Sequence, residues 1–176
     1  MTYPQISRAK CNALALEALR WVGVRETSRN AGWAVEKFQQ TVDGKATGEA
    51  WCMAFVQFCV NYIDTLGGAM GLGLETKARL HASEHCLTVW NKTPVEQRLA
   101  KPHEGCIVIW QHVDANNVGT LQGHAGIVIA VARSGFQTVE GNTGSDSGRE
   151  GDGVYLKTRS HSGHGSLRVK GFLAPW

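Results

Sequence analysis

The 176-residue chain is 43% hydrophobic and 19% charged, which gives enough apolar material for one folded core and too little charge for a disordered segment. Its net charge of +3 is scattered, with no run of five or more Lys or Arg residues, so no nucleic-acid partner is expected. No stretch approaches the roughly 18 consecutive apolar residues of a membrane span, and MTYPQISRAK carries no apolar signal segment. The expectation is therefore a single domain over residues 1–176, made in the cytoplasm without a signal peptide.

Cys11, Leu14, Ala15, Ala18, Leu19 and Val22 fall on one helical stripe that Gly23 can end. A second helix is predicted over residues 32–42 and a third from Trp51 to Leu66. In the third, Cys52, Phe55, Val56, Cys59, Val60 and Ile63 repeat the helical spacing, which calls for one buried face. The Gly-rich stretch 67–73 breaks the pattern, and a fourth helix is predicted over residues 77–90. From Gly105 the period becomes that of strands: CIVIW, HAGIVIAVA, FQTVEGN, VYLKT and VKGFLAP, with GNTGSDSGREGDG and HSGHGS as loops by composition. Helices followed by a run of strands define an α+β class, with an antiparallel sheet packed on N-terminal helices.

Five cysteines at irregular spacing form neither a disulfide framework nor paired metal motifs. Cys52 and Cys59 lie two helical turns apart, a rise of about 10.5 Å against the ~7 Å limit between bridged Cα atoms, so they are not expected to be bonded. Cys52 falls where a helix should begin, and there the positive dipole end and unpaired N–H groups favour a thiolate. A cysteine on an apolar helix face is, by itself, ordinarily a small core residue. His124 opens the strand GHAGIVIAV, and the next strand offers Glu140 and Asn142 two residues apart, hence on one face.

Cysteine, histidine and a polar orienter are the parts of nucleophilic acyl transfer. The thiolate attacks a carbonyl, the histidine exchanges the proton, and the orienter fixes the imidazole tautomer. Hairpin arithmetic adds a condition. A three-residue loop centred on Arg133 sets His124 opposite Asn142, with Glu140 one diagonal step away. The tight Ser134-Gly135 turn that local propensity favours would pair His124 with Ser145 instead. The chemistry requires the longer loop, with Glu140 or Asn142 on one ring nitrogen and Cys52 on the other.

On these residues the sequence resembles a known group. EAWCMAFVQFCV is similar to the nucleophile helix of the CHAP and NlpC/P60 peptidoglycan hydrolases. GHAGIVIAV resembles their histidine strand, TVEGN their Glu-x-Asn strand, and GVRETSRNAGW the segment before the nucleophile helix, together spanning roughly residues 20–142. The resemblance implies a papain-like fold, catalytic roles for Cys52, His124, Glu140 and Asn142, and peptidoglycan stem peptides as substrate. It also places Arg25, Glu26 and Asn30 along the substrate groove, while Trp51, beside Cys52, is a candidate groove wall.

The expected activity is that of a cysteine amidase or endopeptidase, bacteriolytic as a phage lysis protein or an injected antibacterial effector, and acting at the wall or in the periplasm. An immunity protein is a partner in the effector case, and a monomer is expected. An inactive wall-binding module, a hydrolase of a non-wall amide, and a glycosidase using Glu26 and Glu49 are the alternatives. His81 and His85, at i, i+4, form a candidate zinc pair without an HExxH motif or a third ligand, and no calcium loop with regularly spaced Asp and Asn is present. No metal and no cofactor are expected. Trp33, Trp90 and Trp110 read as core or rim residues, and His161 and His164 as solvated.

Overall fold

The computed structural model describes residues 3–69, 77–144 and 151–176. Helices α1 (Tyr3–Arg20), α2 (Trp33–Asp43), α3 (Cys52–Ala69) and α4 (Cys86–Lys92) precede strands β1 (Arg98–Leu99), β2 (Ile107–Val113), β3 (Gly119–Ala132), β4 (Gly135–Thr143), β5 (Gly153–Arg159), β6 (Gly163–His164) and β7 (Leu167–Leu173). The strands form one antiparallel sheet in the order β1-β7-β2-β3-β4-β5, with β6 on β7, so the class is α+β as expected. Among the described residues no helix is long and apolar enough to cross a membrane.

Strand alternation divides the sheet into two apolar faces. Ile107, Ile109, Ala125, Ile127 and Val139 pack on the helices, where Phe38 of α2 makes ring contacts with Trp21, Trp51, Phe55 and Phe58. Val108, Trp110, Val128, Phe136 and Phe172 form a second cluster on the other face. The whole apolar face of α3 named from its spacing is buried, from Cys52 to Ile63. In α1 the buried stripe is narrower than expected. Cys11, Leu14, Ala15 and Ala18 are buried, but Leu19 and Val22 are exposed, because the helix ends at Arg20 and Trp21 takes the place against Phe38 and Phe58.

Three expectations need correction. The fourth helix is confined to Cys86–Lys92. Residues 77–85 are not helical because their backbone groups are taken by distant partners: Ala78 N–H by Asp64, Arg79 N–H by the Pro175 carbonyl, and the His81 and Ser83 carbonyls by the Gln57 amide. His81 and His85 therefore lose the one-turn spacing that would have aimed both at one metal. The Gly-rich break falls later than expected, since α3 runs through Gly67 and Gly68 to Ala69. Residues 70–73 of that stretch, and 145–150 of the GNTGSDSGREGDG loop, lie outside the described residues. HSGHGS is not all loop, because Gly163–His164 pairs with β7.

The β3–β4 hairpin resolves the register condition by a route that turn chemistry alone does not offer. Ala132 pairs with Gly135, so the turn is the two residues Arg133-Ser134, neither the three-residue loop nor the Ser134-Gly135 turn. A register shift between Val128 and Ala130 then inserts one extra residue in β3, and Val128 pairs with Thr138 and Ile127 with Val139. The bulge restores the frame that a three-residue loop would have given. Carried on, that frame aligns Gly126 with Glu140 and puts His124 a diagonal step away.

Candidate active site

Cys52 is the first residue of α3, and its position is fixed from both sides of the chain. Upstream, the buried Gln39 side chain of α2 donates to the Asn30 and Glu49 carbonyls, and the Asn30 amide donates to the Gly48 carbonyl, which pins the approach to the helix. The indole N–H of Trp51 donates to Glu26 at 2.7 Å. From the sheet, Asn142 Oδ1 accepts the Trp51 backbone N–H at 3.2 Å, which ties the start of α3 to the end of β4. Gly141 makes that approach possible, since a Cβ there would stand 2.7 Å from the Trp51 ring.

The sheet supplies the other half. His124 Nε2–H donates to Glu140 Oε2 at 2.9 Å, and the ring lies on Trp110 at 5.5 Å between centroids. Gly126 stands between the two strands where a side chain would otherwise block the bond, because a Cβ there would sit 2.7 Å from Glu140 Cγ. Glu140 is completely buried and its oxygens are fully engaged. Arg159 at the end of β5 grips it with Nε to Oε1 at 2.8 Å and a second guanidinium bond to Oε2, and Thr138 donates its hydroxyl to Oε1. The Arg159 guanidinium also lies over Trp110. With Nε2 committed to Glu140, Nδ1 is the ring nitrogen left for Cys52, which lines the same groove.

Charge alternates along this row: Arg159 positive, Glu140 negative, His124 positive, Cys52 negative. Burial alone would neutralise each ionisable group, so the pairing decides the outcome. Glu140 is held down at about 2, because the Arg159 and His124 bonds outweigh burial. His124 is raised to about 9 against the same penalty, through its bonds to Cys52 and Glu140. The Cys52 thiol is held well below the usual range, first by the S–H of Cys86 and then, against burial, by His124 and the Ala125 backbone N–H. The Cys86 sulfur lies 3.6 Å from that of Cys52, and its own thiol is pushed well up by the neighbouring thiolate and by burial. None of the five cysteines is in a disulfide; burial raises Cys59 well above its usual value and Cys106 to about 12.

The row opens into a groove of about 850 Å³ lined by Glu26, Asn30, Cys52, Cys86, His124 and Asn142, among others. Glu49 and Glu84 stand on its rim, where burial and then the Glu49 carboxylate raise Glu84 to about 8.

Of the residues named from the sequence, the fold gathers Cys52, His124, Glu26, Asn30 and Asn142 along this groove, with Glu140 buried and bonded to His124. It removes two. Trp51 is fully buried against Phe38 and is not a groove wall, and Arg25 turns away to stack on Tyr155 at 4.0 Å. Of the two orienters expected, Glu140 takes the ring, and none of the hydrogen bonds of Asn142 among the described residues reaches His124. Its amide serves Trp51, Glu26, Asn30 and the Gly151 carbonyl. At Asn142 the backbone is left-handed (φ 51°) and the register shifts between Glu140 and Thr143, so its amide is aimed at the start of α3. Arg159, Cys86 and Trp110 went unrecognised as site residues. Arg159 has no local signal, and Cys86 lay in a segment matching no motif.

An α+β domain that sets a helix-initial cysteine in one groove with a buried histidine bonded to a strand carboxylate holds the residue types of nucleophilic acyl transfer. The family model of the CHAP domain matches residues 44–142, more than half of the chain, and the chain belongs to that family, whose members are typically hydrolases acting on peptidoglycan. No curated protein and no solved structure matched in the corresponding comparisons. The matched segment contains Cys52, His124, Glu140 and Asn142, whereas Arg159 lies beyond it.

Proposed function

We propose that the protein is a cysteine amidase or endopeptidase that cleaves an amide bond in the stem peptide of peptidoglycan. The observation that carries this reading is that Cys52, at the start of α3, lines one groove with His124, whose ring is held by Glu140, in a chain of the CHAP family. The Cys52 thiolate attacks the amide carbonyl, and His124, already protonated, delivers its proton to the leaving amine. The oxyanion forms beside the backbone N–H of Cys52, one of the groups that the first turn of α3 leaves without an intrahelical acceptor. Water, deprotonated by the now neutral His124, then releases the acyl group. Glu140 holds the ring and balances its charge, and Arg159 keeps Glu140 ionised.

Such an enzyme acts in the bacterial wall and is bacteriolytic once delivered there, as a phage lysis protein or an injected effector. The test is mass spectrometry of muropeptides from purified peptidoglycan incubated with the wild type and with Cys52→Ala. The expected result is one new pair of amine and carboxyl termini in the stem peptide, absent with Cys52→Ala. New reducing sugar ends without new peptide termini, or equal release by both proteins, would overturn it.

A further inference from the structure

We propose that Cys86 is a resolving thiol for Cys52, so that a peroxide converts the active site into a reversible Cys52–Cys86 disulfide. The two sulfurs lie 3.6 Å apart, both residues line the same groove, and both are unpaired. Closing to a disulfide requires an approach to about 2.05 Å. Cys86 is the first residue of the short helix α4, so the two thiols stand at the starts of two helices, α3 and α4. Cys59 is two turns along α3, and the Cys106 sulfur accepts the His103 N–H.

The chemistry balances with a peroxide as oxidant. The Cys52 thiolate attacks one peroxide oxygen, the O–O bond breaks, and the departing oxygen takes the proton of the His124 imidazolium and leaves as water or an alcohol. Cys52 is then a sulfenic acid, oxidised by two electrons that the peroxide has accepted. The Cys86 sulfur attacks Cys52 Sγ, the S–O bond breaks, and the hydroxyl leaves with the Cys86 proton as water. The disulfide removes the nucleophile, and a dithiol reductant returns it. Without Cys86 the sulfenic acid stays exposed to further peroxide and advances to the sulfinic acid, which a dithiol does not reverse.

The inference rests on Cys52 being the thiolate of the proposed function, but not on the substrate, so its readout is chemical. Wild-type protein is treated with hydrogen peroxide, then analysed by intact mass and by peptide mapping without reduction. The expected product has lost two hydrogens and yields a linked peptide pair containing Cys52 and Cys86. Protein that instead gains oxygen atoms at Cys52, with no such pair, overturns the proposal whether or not Cys86 variants fold. In Cys86→Ser and Cys86→Ala, peroxide should give Cys52 sulfinic acid, with less than about a tenth of each variant's own starting activity recovered by dithiothreitol. Recovery in both variants equal to that of the wild type also overturns it. A linked pair in a protein that cuts no wall peptide would leave the inference standing and remove the function.

Discussion

Gly126 and Glu140 face each other across β3 and β4 so closely that a single methyl group at Gly126 would stand 2.7 Å from Glu140 Cγ. The empty space at Gly126 is what allows the Glu140 carboxylate to reach His124. Gly126→Ala should displace Glu140, cost about 1–3 kcal/mol of stability through overpacking and lower kcat with little change in KM. Thermal unfolding and steady-state kinetics check both parts, and an unchanged kcat would show that Glu140 has another route to the ring.

Cys52 should be the most reactive thiol among those whose acidity the fold alters. Iodoacetamide labelling followed by peptide mapping should modify Cys52 well ahead of Cys59 and Cys106, whose thiols burial pushes up. The Cys52 rate should stay high below the usual thiol pKa of about 8.5, where an ordinary thiol slows. Cys52→Ala should lower kcat by more than about 10³-fold while leaving the fold intact. Equal labelling of the three thiols would count against Cys52 as nucleophile.

The pH dependence follows from the direction of each shift. Activity requires Cys52 deprotonated and His124 protonated, so kcat/KM should fall on the acid side as Cys52 takes up its proton. On the alkaline side it should fall near pH 9 as His124 loses its own. For stability the signs differ between the groups. Glu140, depressed to about 2, stabilises the fold above the usual carboxylate pKa, and that contribution is lost as pH falls through about 2. His124, raised to about 9, contributes fully below its usual value of 6.5, and its share is lost as pH rises through about 9.

Arg159 holds the far end of the row, and its removal should be felt as a change in titration. Arg159→Met leaves Glu140 buried with one charged partner fewer, a loss that typically costs about 3–5 kcal/mol in stability. It should also move the alkaline limb of the kcat/KM profile up, because the buried Glu140 carboxylate, having lost the guanidinium, depends more on the imidazolium for its countercharge. Arg159→Lys should restore part of that limb. A profile that keeps its wild-type limbs in Arg159→Met would reduce Arg159 to a structural ion pair.

Asn142 should act on where Cys52 sits and not on the histidine. Asn142→Gly tolerates the left-handed backbone and removes only the amide, including the bond to Trp51 N–H. The expected effect is about 1 kcal/mol in stability, a reduced kcat and an unshifted alkaline limb. A shift in that limb would mean that Asn142 contacts the ring after all.

The class of fold and the pair Cys52 and His124 were legible because they rest on local signals: apolar spacing of 3.6 along α3, alternation in β3, and a thiol at a helix start. Glu140 was legible because residues two apart on a strand share a face. Those rules stop where the chain departs from ideal geometry. The bulge near Ile129 and the left-handed Asn142 decided that His124 meets Glu140 alone, and both are adjustments that the hydrogen-bond ladder makes to neighbouring strands. Trp51 and Arg25 stand next to site residues in sequence, yet packing against Phe38 and Tyr155 directs them elsewhere. Arg159 and Cys86 reach the site from 19 and 34 residues away, across a strand pair and between two helices. No periodicity records a meeting of that kind, because it is fixed by which strands pair and where α4 begins.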